Sequence, residues 1–220
     1  MTISAILFDT DGVLYHRPRA DRHLASFLEQ HGLTLRHHKV LDRALRAARF
    51  DVRLGRITRE MFYDAVLRVH GLEDETLFPV GRDMLVQDAA DIELFPGVRE
   101  TLEALYESGL KLAAIADSAH PARDITGWLA GQGVSLGLWA TFAISCEVGQ
   151  LKSDGALFDA AIDKMGADRD QVAYVGHTSD ELARAAELGL TDVAFMPDDP
   201  AVETMYTVSS FYGLQDLFLD

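Results

Sequence analysis

Ile6-Leu7-Phe8-Asp9-Thr10-Asp11-Gly12-Val13-Leu14 (ILFDTDGVL, residues 6–14) decides how this chain is read. Three apolar residues run directly into two aspartates one residue apart, and then a glycine. The apolar run predicts a buried strand, and strand ends do not collect paired carboxylates without a task for them. In open α/β sheets ligands bind beyond the carboxyl ends of the strands, where Asp9 stands. Strand alternation lets Asp9 and Asp11 face the same way, and two such charges repel unless a cation or a shared proton relieves them. One can attack as a nucleophile while the other moves protons, and a hard cation such as Mg²⁺ would take their oxygens. Gly12 lets the chain turn sharply and brings backbone N–H groups toward an anion.

Outward from that stretch, four more apolar runs read as buried parallel strands: Leu112–Ala116, Thr141–Ser145, Val172–Val175 and Val193–Met196. Helical stretches lie between them. Val98, Leu102, Leu105 and Tyr106 form one apolar face, and Leu157, Phe158, Ala161, Ile162 and Met165 another. Strand alternating with helix predicts an α/β fold, a Rossmann-like doubly wound parallel sheet. The alternation is interrupted after the first strand. Residues 20 to 85 hold helical patterns without a convincing strand, with Thr58 as the N-cap of one helix. The expected division is a core of residues 1–15 and 90–220 with an inserted helical unit over residues 16–89.

The totals narrow the function. At 220 residues with 48% hydrophobic composition, the chain can bury one core and a smaller second unit. A formal net charge of −15 repels phosphate backbones and anionic lipid surfaces, so neither nucleic acid nor membrane is an expected partner. The one basic stretch, Arg36-His37-His38-Lys39 with Arg43, Arg46 and Arg49, reads as a solvated helix face. A lone Cys146 excludes an intramolecular disulfide and a cysteine metal cluster, and reads as a small buried hydrophobe. No leader-like or membrane-spanning run is recognised, which makes the cytoplasm the expected compartment. Oligomeric state is not legible.

Asp9-Thr10-Asp11-Gly12-Val13-Leu14 resembles the first motif of the haloacid dehalogenase superfamily, most of whose members are phosphatases. Glu147-Val148-Gly149 followed by Lys152, Asp154 and Phe158 resembles its third motif. Val175-Gly176, ahead of a helix holding Ala185, Ala186 and Gly189, resembles its fourth. Leu54-Gly55-Arg56-Ile57-Thr58 and Phe95-Pro96-Gly97-Val98 are familiar there too, and the helical insertion resembles the family's cap domain. The resemblance spans nearly the whole chain, and the order of the motifs is what makes it specific. It implies that Asp9 attacks phosphorus to form an aspartyl-phosphate and that Asp11 serves as acid and then base. Lys152 would stabilise the nucleophile and the phosphoryl charge, with Gly12 lining the substrate.

Two motifs depart from the pattern. Where the family usually places a Ser or Thr after the second strand, this chain has Ala116, followed by Asp117 and Ser118. Ser118 is the candidate replacement, and Asp117 is assigned to the substrate pocket beside it although its charge opposes an anion. In the fourth motif His177 stands where an aspartate would ligate Mg²⁺, and imidazole suits that ion poorly. Asp180 is expected to restore the missing ligand, giving Asp9, Asp11 and Asp180 as a weakened Mg²⁺ site, with Glu181 as the nearby alternative. His120, His16, Arg17 and Arg19 fall near the expected site or hinge, while Trp128 and Trp139 read as packing residues.

The leading expectation is hydrolysis of a small phosphorylated metabolite through Asp9, with a phosphomutase as its chemical neighbour. The enzymatic alternative is a metal-independent dehalogenase, for which the retained Asp11 has no obvious use. The alternative of another class is a binding or regulatory protein on a decayed phosphatase scaffold, favoured by Ala116 and His177 and opposed by Asp9, Asp11 and Lys152.

Overall fold

The computed structural model describes residues 3–219. The chain opens with β1 (Ala5–Asp9) and, after a turn, β2 (Tyr15–His16). Four helices follow, α1 (Arg22–Gln30), α2 (His38–Arg53), α3 (Arg59–Val69) and α4 (Phe78–Ala90), and then β3 (Glu93–Leu94). From there strand and helix alternate: α5 (Val98–Glu107), β4 (Lys111–Ala116), α6 (Ala122–Gly131) and β5 (Trp139–Ile144). A single turn α7 (Ser145–Val148) precedes α8 (Ala156–Met165), β6 (Val172–Gly176) and α9 (Ser179–Glu187). The chain closes with β7 (Thr191–Phe195), β8 (Tyr206–Val208) and α10 (Phe211–Leu219).

The main sheet has six strands in the order β5-β4-β1-β6-β7-β8, every neighbouring pair parallel. The chain therefore builds outward from β1 in one direction and then returns to build in the other, which is the doubly wound arrangement. All five expected strands are present, with ends shifted by two residues or fewer. A sixth, β8, is added at the edge. It is three residues long and only partly covered, so it carries no apolar run from which to recognise it.

Burial on both faces explains why β1 reads as an unbroken apolar run. Ile6 and Phe8 point into a layer with Val98 and Leu102 of α5 and Phe211 and Leu214 of α10. Ala5 and Leu7 point the other way, against Leu157, Phe158 and Ala161 of α8 and Leu182 of α9. The four helices between β2 and β3 have a separate apolar centre, formed by Leu24, Phe27, Leu28, Leu67, Leu72 and Phe78. Thr58 caps α3 as its spacing predicts, its Oγ1 accepting from the Met61 N–H at 3.2 Å, a contact of the kind that contributes about 1 kcal/mol.

The two ends of this helical stretch meet. β2 and β3 pair antiparallel, Tyr15 opposite Leu94 and His16 opposite Glu93. Two residues per strand are too few to show a period, so the ribbon leaves no trace in the sequence pattern. The helices also press on the main body. Gly55, at φ +67°, lies so close that a Cβ there would stand 2.4 Å from the Cys146 carbonyl oxygen. A glycine is the residue that allows both that backbone conformation and that approach.

Candidate active site

The carboxyl ends of β1, β4, β5 and β6 converge on one cavity of about 450 Å³. Asp9 is the last residue of β1 and its carboxylate is almost fully enclosed. Its Oδ1 accepts the Thr10 N–H at 2.8 Å and the Lys152 Nζ at 2.9 Å. Lys152, in the turn between α7 and α8, is also buried, and its Nζ reaches Glu181 Oε1 at 2.7 Å. Glu181 in turn accepts from the Tyr174 hydroxyl at 3.0 Å. A buried row of carboxylate, ammonium and carboxylate results, with the cation in the middle.

His177 completes the surroundings of Asp9. Its Nδ1 stands 3.5 Å from Asp9 Oδ2, longer than a well-formed hydrogen bond, and has no hydrogen-bond partner among the described residues. Its ring lies over Gly12, where a Cβ would come within 2.6 Å of Nε2. Gly12, at φ +80°, therefore serves the turn and also leaves room for the imidazole.

These contacts set the protonation states. Burial alone would raise the Asp9 carboxyl. The Lys152 charge and the polar contacts with His177 and Lys152 outweigh it and hold the pKa at about 2. Burial works against the Lys152 ammonium, but Asp9 and Glu181 more than compensate and raise its pKa. Contact with Asp9 raises His177, despite its partial burial, so the imidazole holds its proton more strongly than a free histidine does. Burial, and then the Asp9 charge, push Glu181 up, with Lys152 opposing. Asp9 is an ionised carboxylate with a cation on one oxygen and an imidazole facing the other.

The other expected residues are distributed around this row. Asp11 lines the same cavity, but its carboxylate is paired with Arg17 and 62% exposed. Arg17 is itself held by the Ala89 carbonyl at 2.9 Å and lies over the Tyr15 and Trp128 rings. Ser118 lines the cavity too; its Oγ accepts from the His120 N–H, and its own N–H donates to Ser145 Oγ. Asp117 accepts the Lys152 backbone N–H at 3.0 Å, so one of its oxygens is spent positioning that turn. Burial raises its pKa as well.

Asp180 does not join Asp9 and Asp11. It is exposed and lines a different hollow, with Ser179, Arg184 and Asp198, while its neighbour Glu181 turns inward. The helical period explains the choice: Glu181 and Ala185, four apart, share the face of α9 that packs inward, and Asp180 lies about 100° around from it. Counting apolar positions along α9 would have identified Glu181. The expected Mg²⁺ cage of Asp9, Asp11 and Asp180 is therefore not assembled. Asp9 already faces Lys152 and His177, Asp11 is taken by Arg17, and imidazole is a poor ligand for a hard cation. Among the described residues no three His, Cys, Asp or Glu side chains are grouped to hold a metal ion. The residues present do not fit Mg²⁺.

His120 is drawn into a cluster rather than solvent. Its Nδ1 is 3.0 Å from Arg59 Nη1, its Nε2 is 3.0 Å from the Tyr63 hydroxyl, and its ring meets that of Trp128. Arg59 also pairs with Asp124. This cluster joins α3 to α6 across the mouth of the cavity. Trp139 packs on Phe8 and Phe142, as a packing residue should. One lining residue, Arg53 at the end of α2, was not singled out by sequence reasoning, since nothing local marks a helix-end arginine as facing a strand end 44 positions away.

Comparisons with known proteins agree with this arrangement. A family model described as haloacid dehalogenase-like hydrolase matches residues 3–189. No curated protein gives a significant match. Among solved structures, the chain is similar to 2-haloacid dehalogenase from Pseudomonas syringae pv. Tomato DC3000, at 19% identity and a TM-score of 0.74, with 99% of each chain covered. It is similar to a predicted phosphoglycolate phosphatase from Haemophilus somnus 129PT, at 18% identity and a TM-score of 0.71, with 99% of this chain and 98% of that one covered. Bacillus subtilis YfnB, in a magnesium-bound form, gives 14% identity and a TM-score of 0.76 over 100% of both chains. At these identities the likeness is one of fold. Among the described residues, no helix is long and apolar enough to cross a membrane.

Proposed function

The chain belongs to the haloacid dehalogenase-like hydrolases, and from that premise we propose that it is a metal-independent hydrolase. In this reading Asp9 displaces a leaving group from the carbon of a small monoanionic substrate, of the 2-haloacid class. The observation that carries the reading is the imidazole of His177 set against Asp9 Oδ2 and over Gly12, where the family pattern has a metal-ligating acid.

Asp9 Oδ1 is fixed by Lys152 and the Thr10 N–H, which leaves the loosely held Oδ2 as the attacking atom. Attack forms an O–C bond as the carbon–halogen bond breaks, and the halide departs with the bonding pair. No proton is needed for that departure. Water then adds to the Asp9 carbonyl carbon, the alcohol product leaves, and the carboxylate is restored with one oxygen from water. Glu181, raised by burial and beside Lys152, is the base for that water. The four helices between β2 and β3 act as a cap over the core of residues 1–15 and 90–220.

Charge favours carbon over phosphorus. Asp9, Asp11, Asp117 and Glu181 line the cavity, against Lys152, His177, Arg17 and Arg53. Without a divalent ion this set is close to neutral, and a phosphoryl dianion needs more positive charge than a carboxylate does. The second reading, phosphate monoester hydrolysis, is favoured by Asp11, which lines the same cavity and could serve a leaving alkoxide once freed from Arg17.

The test is to assay 2-haloalkanoates and phosphate monoesters side by side, with EDTA and with Mg²⁺. Halide release unaffected by EDTA, and heavy oxygen from labelled water found in Asp9 after a single turnover, are the expected results. Phosphate release that needs Mg²⁺ would establish the second reading instead, and saturable binding without any turnover would make this a binding protein.

A further inference from the structure

We infer that Arg53 forms a carboxylate-binding subsite, placed across the cavity from Asp9 and supplied by the last turn of α2. This deepens the displacement reading and rests on it for the identity of the natural ligand.

The inference starts from the cations in the cavity. Lys152 is spent between Asp9 and Glu181, Arg17 is spent on Asp11, and His177 faces Asp9. Arg53 is the cation lining the cavity that has no ion pair among the described residues. Its freedom is unusual for its neighbourhood. Arg49 pairs with Asp42, Arg56 with Asp51, and Arg59 with Asp124. A cavity that already holds four carboxylates repels an anion unless one cation is unspent, and Arg53 is that cation.

The backbone beneath it is fixed. Val52 and Leu54, on either side, are buried, and Gly55 is locked against the Cys146 carbonyl. The exposed side chain therefore swings from a rigid base. It is near enough to Asp117 that its charge lowers that carboxyl against the effect of burial. A guanidinium offers a planar fork of donors that matches a carboxylate with two parallel hydrogen bonds. A substrate held at one end by Arg53 would present its other end to Asp9, so this residue selects ligands that carry an anionic group apart from the reacting atom.

The probe is 2-methylpropanoate, which has the shape of a 2-halopropanoate and no leaving group. Its binding to the full-length protein is followed by NMR titration, alongside the neutral 2-methylpropanamide. The wild type should bind the carboxylate in preference to the amide. Arg53→Ala should weaken carboxylate binding by about tenfold or more, as expected for loss of a charge-assisted bidentate contact, and leave amide binding unchanged. Arg53→Lys should fall between them. Equal carboxylate binding by wild type and Arg53→Ala, equal binding of carboxylate and amide by the wild type, or no saturable binding by the wild type would each overturn the subsite. The two ideas fail separately. A carboxylate preference that depends on Arg53 in a protein with no dehalogenase turnover keeps the subsite and removes the reaction, whereas halide release with affinity indifferent to Arg53 does the reverse.

Discussion

Replacing Lys152 by methionine, which keeps the length and removes the charge, tests the buried row at the centre of the site. The ammonium lies 2.9 Å from Asp9 and 2.7 Å from Glu181, with 4% of the lysine side chain exposed. Removing it leaves two enclosed carboxylates facing a thioether. Breaking a buried pair by deleting one partner costs about 3–5 kcal/mol. At about 2–4 °C per kcal/mol for a chain of this size, the melting temperature should fall by roughly 6–20 °C. The loss should also depend on pH. In the variant at least one of the two carboxyls has a folded-state pKa above its unfolded value near 4. Protonation relieves the repulsion, so the variant comes nearest to wild type around pH 4–5 and falls progressively behind as pH rises toward 8. Thermal melts of both proteins across that range measure it, and adding Glu181→Gln should restore part of the loss at pH 8. A deficit under about 1 kcal/mol, or one of equal size at both ends of the range, would refute the view that Lys152 holds two ionised carboxylates together.

Asp9→Asn should abolish turnover of any substrate while keeping the fold, because an amide cannot act as the nucleophile; circular dichroism and a turnover assay on the same sample check it. His177→Asp would place a second carboxylate beside Asp9 and create the acid that Mg²⁺ prefers, so Mg²⁺ should raise the melting temperature of the variant and leave that of the wild type unmoved. Burial, and then Arg59, lower the His120 pKa from 6.5 to about 4, so the folded state carries this imidazole neutral. Between those values the unfolded chain binds a proton that the folded chain refuses. Stability should therefore decline as pH falls through that window, by up to about 3 kcal/mol, and His120→Gln should flatten the decline in denaturant titrations.

Much of this site could be read from the sequence, and the reasons are local. Asp9 is marked by the apolar run it terminates, and Lys152 by its distance from a glycine turn after a strand. The misjudged acid, Asp180 in place of Glu181, turned on which of two adjacent carboxylates faces inward, a matter settled by helix phase and by the Lys152 ammonium rather than by residue type. Asp11 was legible as a residue and not as a partner, because Arg17 reaches it only through the turn that β2 introduces. Arg53 and the cluster of Arg59, Tyr63, His120 and Asp124 depend on contacts between helices and strands distant in sequence, which no local pattern encodes.

The small ribbon of Tyr15-His16 against Glu93-Leu94 has a consequence for how such a chain can change. In an antiparallel pair the opposed backbones stand about 4.5–5.5 Å apart, so the stretch of four helices leaves the core and rejoins it at nearly one point. Its ends need no long bridge, and a segment of different length spliced between them changes the entropy of closing that loop by only about 0.6 kcal/mol for each doubling of length. The ribbon works as a socket. Whatever is plugged into it can be exchanged, lengthened or replaced while Asp9, Lys152 and His177 stay on the sheet that positions them, so this architecture can acquire new substrates without rebuilding its chemistry.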